Sequence, residues 1–89
     1  MTGVLTKAVE RFSETAIDAE IVVMNLDSGD FFSLSGTARA IWLLIDGTRD
    51  RAALVAELAR QFEMRPDAIA GEVDQFLAQL VNADLVRLG

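Results

Sequence analysis

EIVVMNLDSGDFFSLSGTARAIWLLIDG, residues 20–47, is the stretch on which the fold turns. Ile21–Leu26 is rich in β-branched residues and reads as a strand. Asp27-Ser28-Gly29-Asp30 is a turn, with Asp27 placed for an Asx-type bond and Gly29 supplying a positive φ at little steric cost. Phe31–Leu34 returns as the next strand. Period-two alternation puts Phe32 and Leu34 on one face and Phe31 and Ser33 on the other. Ser35 or Thr37 then caps a helix in which Ala38, Ile41, Trp42 and Ile45 recur at helical spacing. The pattern predicts a hairpin running straight into an apolar helix, which Gly47 closes at the C′ position.

Toward the N-terminus, Met1–Lys7 carry no periodic pattern and are expected to be disordered. Ala8–Phe12 reads as a short strand, and Ile17 allows it to resume after a bulge among the polar residues that follow. Toward the C-terminus, Asp50 begins a second helix with Leu54, Leu58 and Phe62 as its apolar stripe. Pro66 fits the first turn of a third helix, whose Ile69, Val73, Phe76, Leu77 and Leu80 share a face and which ends at Asn82 or Asp84. Gly71 lies inside that helix at a cost of roughly 1 kcal/mol against alanine, which leaves room for close packing there. Leu85–Leu88 is a last short strand or an apolar tail. Strands joined by tight turns and then helices give a single α+β domain over residues 1–89. The expected architecture is winged helix-turn-helix-like: a three-stranded antiparallel sheet followed by three helices.

Composition narrows the chemistry. The 89 residues include no cysteine and no histidine, so thiolate metal sites, the commonest general base and the commonest metal ligand are all missing. Ser13, Ser28, Ser33 and Ser35 have no histidine partner, and Lys7, the one lysine, is distant in sequence. No catalytic residue, metal or cofactor is expected. Asp27, Ser28 and Asp30 around Gly29 lack the twelve-residue spacing and terminal glutamate of a calcium loop. A net charge of −6 opposes binding to phosphate backbones or anionic lipid. The third helix, which would be the recognition helix of a DNA-binding winged helix, offers Asp67, Glu72, Asp74, Gln75 and Gln79 with no lysine or arginine from Pro66 to Ala83. There is no apolar run of membrane-spanning length and no secretory h-region, so the expectation is a soluble, cytoplasmic protein.

Polypeptide recognition is what remains. The strand around Phe31–Leu34 ends the hairpin, and an open edge offers unpaired N–H and C=O groups that an extended peptide satisfies by strand addition. Phe31 is the aromatic left for a partner, unless both phenylalanines are core. A homodimer through the same edge and a regulatory adaptor subunit of a peptide-modifying enzyme stay open as alternatives.

The succession Leu26-Asp27-Ser28-Gly29, Phe31-Phe32-Ser33-Leu34 and Ala38–Gly47 (ARAIWLLIDG) resembles the PqqD-like family of recognition elements for ribosomally made precursor peptides. The later pattern matches it too: Leu54, Leu58 and Phe62, then Val73, Phe76, Leu77, Leu80, Leu85 and Val86. The resemblance covers residues 20 to the C-terminus. It implies a non-catalytic domain that binds a precursor's leader segment as an added antiparallel strand, in a groove against the third helix, and presents the precursor to a modifying enzyme or leader peptidase. Carried onto this chain, the peptide-binding residues would be Asp30, Phe31, Phe32, Ser33 and Leu34 on the strand. On the helix they would be Glu72, Val73, Asp74, Phe76, Leu77 and Leu80, the core stripe mainly holding the helix while its edge members line the groove. Asp30, Glu72 and Asp74 would pair with basic leader residues. The tryptophan and the proline–glutamate pattern that pyrroloquinoline quinone members carry around the second strand are absent, since residues 21–26 hold no aromatic or proline. The free-standing chain and its Asp-Ser-Gly turn look more like the lasso-peptide type, whose partner is a leader peptidase of the transglutaminase-like cysteine class.

Overall fold

The hairpin forms as expected. In the computed structural model, which describes residues 3–88, strand β3 (Glu20–Asn25) pairs antiparallel with β4 (Phe31–Leu34) in the register Ile21↔Leu34, Val22↔Ser33, Val23↔Phe32 and Met24↔Phe31. Ile21, Val23 and Leu34 are sealed on the inner face, while Met24 and Phe31 lie side by side on the outer face. β2 (Phe12–Ile17) pairs on the other side of β3, from Phe12↔Asn25 to Ile17↔Glu20, so the strand order is β2-β3-β4.

Three helices follow. In α1 (Gly36–Leu44), Ser35 is the N-cap, although its side chain makes no capping bond; Ile41, Trp42 and Ile45 just beyond are buried. The cap at the other end is Ile45, so Gly47, at φ +87°, sits one position later than expected. In α2 (Arg51–Gln61), Asp50 caps through its carboxylate, which accepts the Ala53 N–H at 2.8 Å. Leu54, Val55, Leu58 and Ala59 are buried, but the expected stripe stops there. Phe62 is the C-cap and is exposed, because the helix ends at Gln61, one residue before it. In α3 (Pro66–Asn82), Ile69, Val73, Leu77 and Leu80 face the core, and Phe76 packs at its margin. A Cβ built on Gly71 meets nothing within 4 Å, so close packing does not account for that glycine.

The N-terminal expectations need correction. Disorder was expected over residues 1–7, yet Leu5–Lys7 form a strand, β1, paired antiparallel with β5 (Val86–Leu88). The Leu5 side chain is buried, and its N–H donates to the Arg49 carbonyl at 2.9 Å. Met1 and Thr2, which that expectation included, lie outside the described residues. The strand expected over Ala8–Phe12 is displaced as well. The Ala8 N–H is drawn to the Leu85 carbonyl (2.8 Å), the Arg11 N–H closes onto the Ala8 carbonyl (2.8 Å), and residues 9–11 wind into a turn of 3-10 helix before β2 begins at Phe12.

One core unites these parts: Leu5, Ile21, Val23, Leu34, Ile41, Trp42, Leu54, Leu58, Val73, Leu80 and Leu85 belong to it. The Phe12 ring meets Trp42 edge-on at 5.1 Å, and the Lys7 ammonium lies 4.4 Å from the indole centroid. Burial pushes the Lys7 amine below its ordinary pKa, against the opposing pull of Glu14 and Asp46.

Candidate functional site

Among the described residues, β4 has a neighbour on one side only. Which of its main-chain groups face the free side follows from the ladder. The Asn25 N–H donates to the Asp30 carbonyl at 2.7 Å, so that pair is hydrogen-bonded, and pairs alternate along an antiparallel ladder. Phe32 and Leu34 therefore spend their N–H and C=O on β3, while Phe31 and Ser33 turn theirs to the open edge. The outward Phe31 side chain, 69% exposed, stands beside those groups. The Ser33 hydroxyl donates across the outer face to Glu20 Oε1 at 2.8 Å.

Where the hairpin turn approaches the end of α3, a cleft of about 300 Å³ opens, lined by Asn25, Asp27, Ser28, Asp30, Phe32, Asn82, Ala83 and Asp84. The β3–β4 turn, with Asn25 and Phe32 at its base, forms one wall, and residues 82–84, where α3 ends, form the other. Three carboxylates border it; that of Asp27 is answered by Arg11 at 2.8 Å.

The residues singled out from sequence divide into four groups. Asp30 and Phe32 line the cleft, and Phe31 and Ser33 present the edge. Leu34, Val73 and Leu80 are sealed in the core, holding strand and helix in place. On α3, Glu72 and Phe76 share a flank with Ala83 at helical spacing, but neither lines the cleft. Asp74 and Leu77 belong to the opposite flank. Arg51 of α2 grips Asp74 in a two-pronged pair (2.5 and 2.9 Å), which holds the Asp74 carboxyl below its ordinary pKa. Leu77 lines a second crevice of about 340 Å³ with Leu5, Arg51, Asp74, Ala78 and Val81.

Of the residues lining the cleft, the sequence reading missed Asn25, Asn82, Ala83 and Asp84, and took Asp27 and Ser28 for turn residues alone. Asn25 was legible in principle: it continues the inward-facing series Ile21, Val23, and a polar residue on a buried face needs partners. The Asx-type role expected of Asp27 belongs to Asn25, whose Oδ1 accepts the N–H of Asp27 (2.8 Å) and of Ser28 (3.2 Å), while the Asp27 side chain is engaged by Arg11. The end of α3 carried no such signal, since its part depends on where the hairpin lands. Among the described residues, no three acidic side chains gather as metal ligands, and no helix is long and apolar enough to cross a membrane.

The whole architecture has a close solved counterpart. The structure described as TbiB1 in complex with the TbiA(beta) leader peptide superposes with a TM-score of 0.80, covering 92% of this chain and 94% of that one at 21% sequence identity. No protein of curated function matches the sequence. The family model described as coenzyme PQQ synthesis protein D matches residues 20–86, from the start of β3 to the first residue of β5. That span holds the hairpin, the cleft and all three helices, and the chain belongs to the PqqD family.

Proposed function

We propose that this domain binds the leader segment of a ribosomally made precursor peptide as an added antiparallel strand on β4, and presents the precursor to a modifying enzyme or leader peptidase without chemistry of its own. The observation that carries the reading is the free edge of β4, where the main-chain groups of Phe31 and Ser33 turn outward, together with the cleft between the hairpin turn and the end of α3 that Phe32 of the same strand lines. The counterpart TbiB1 is described with a leader peptide bound, which supports the same use here.

Magnitudes say how such a site must work. Each main-chain bond contributes about 1 kcal/mol net, and two edge residues offer about four in all. Micromolar affinity requires about 8 kcal/mol, before the peptide's ordering cost. Strand pairing thus sets direction and register, and apolar side chains on Phe31, Phe32 and the α3 flank must supply the rest. Asp30 and Glu72 favour a basic leader residue, adding on-rate and register more than affinity; Asp74 is already committed to Arg51. Held this way, the core segment reaches the enzyme at a raised effective concentration.

The test is calorimetric titration with a synthetic leader from the adjacent precursor gene. Phe31→Ala is expected to leave the fold intact and weaken binding severalfold or more. Ser33→Pro removes an N–H that points outward, so the fold should survive while binding falls at least tenfold; Ser33→Ala should bind nearly as wild type. Absence of binding in the wild-type protein, or undiminished binding by a folded Ser33→Pro, would sink the proposal. A mass that rises with concentration and drops on adding leader would show that a second copy competes for the same edge.

A further inference from the structure

We infer that Asn25 is the latch that fixes the spacing of the two cleft walls, making it a positioning residue for the docked peptide; this rests on the strand-addition reading. Asn25 is only 8% exposed, and its side chain works in two directions. Oδ1 gathers the turn that launches β4, accepting from Asp27 and Ser28, while Nδ2 donates to the Ala83 carbonyl at the C-cap of α3 (2.8 Å). Its main chain closes the same turn: its N–H goes to the Asp30 carbonyl, and its carbonyl accepts from Gly29 (2.8 Å). Asn25 and Ala83 both line the cleft.

Among the described residues, the bond from Asn25 to Ala83 is the one side-chain hydrogen bond that joins the β2–β4 sheet to α3. The remaining contact between them is apolar packing, which is non-directional and tolerates sliding. A hydrogen bond holds its partners within a few tenths of an ångström. It also occupies a helix-end carbonyl that has no partner within the helix. Releasing it would let the hairpin shift against α3 while leaving the β3–β4 ladder whole. The edge would still offer its main-chain groups, but the cleft beside it would no longer be of fixed width.

The discriminating variant is Asn25→Asp. It keeps the shape and the acceptor for the turn, but turns an anionic oxygen toward the Ala83 carbonyl. At pH 7.5 the leader should bind at least tenfold more weakly, mainly through faster dissociation. Once protonated, the introduced carboxyl can again donate to Ala83, so the deficit relative to wild type should shrink by pH 5. Comparison with wild type at each pH cancels the titration of Asp27, Asp30 and Asp84 around the cleft and of any acid on the peptide; Arg11 stays charged throughout. Asn25→Ser, too short to reach Ala83, should lose affinity equally at both pH values and serves if the aspartate variant does not fold. Amide exchange on the free proteins gives a readout independent of ligand: Ala83–Leu85 should lose protection in either variant, while Val23 and Phe32 keep theirs. Folded variants that bind within twofold of wild type, where wild type binds, would overturn the inference, as would unchanged exchange at Ala83–Leu85. A wild-type protein that ignores the leader refutes the docking reading instead, and the exchange result then decides whether the latch exists.

Discussion

Trp42 shows what a single residue is asked to do in a domain this small. It is fully buried, it takes the edge of Phe12 on its ring and the Lys7 ammonium near its face, and it is the chain's one tryptophan. Its role in the core was predictable from helical spacing, but its polar end breaks the usual rule, since Nε1 has no acceptor among the described residues. The unpaired donor offsets part of what the ring contributes. Trp42→Ala should cost about 3–5 kcal/mol, as for other large-to-small core changes. Trp42→Phe leaves a smaller void and removes the orphaned N–H, so its cost should stay below about 2 kcal/mol. Denaturant titration followed by circular dichroism, which does not need the indole, measures both. A Trp42→Phe cost well above about 2 kcal/mol would mean that the N–H is satisfied in solution.

Among the elements, the helices were the easiest to read and the short strands the hardest. The stripes of α1 and α3 repeat often enough for their spacing to be unambiguous. β1 has three residues, too few for a period, and its partner lies at the opposite end of the chain. For the site, the strand edge was legible because a hairpin's last strand is exposed by construction. The α3 residues were not, because spacing finds a core face but does not say which flank meets the sheet and which meets α2. Asp74 fell to α2 for that reason. Gly71 gives a prediction at this scale. It lies inside α3 with open space where a Cβ would go, so Gly71→Ala should raise stability by about 0.5–1 kcal/mol through helix propensity alone. Leader affinity should not change. A lower denaturation midpoint would show that the site demands glycine for a reason the backbone does not display.

At the scale of the molecule, an acidic chain balances its charges by local pairing. Arg60 and Gln61 hold the Glu57 carboxyl at about 2, well below its ordinary 4.5, and Arg51 lowers Asp74 in the same sense. A carboxyl whose folded pKa is depressed adds stability that is complete above its unfolded pKa and lost as pH falls through the folded one. Stability should therefore hold above about pH 5 and decline toward pH 2. Glu57→Gln should flatten part of that decline. The Arg51–Asp74 pair is exposed, and Glu57, though half-buried, meets an exposed Arg60, so the effect should be modest and should shrink with added salt. A Glu57→Gln profile parallel to wild type would show that the pair does not persist in solution. The β1–β5 ladder has a different consequence. With Leu5 opposite Leu88, the chain enters and leaves the domain at adjacent points, about 5 Å apart as in any antiparallel pair. A module wired in this way can be spliced into a surface loop of a host protein without prising the loop's ends apart, hanging from it as a pendant whose removal would let the host close over the gap.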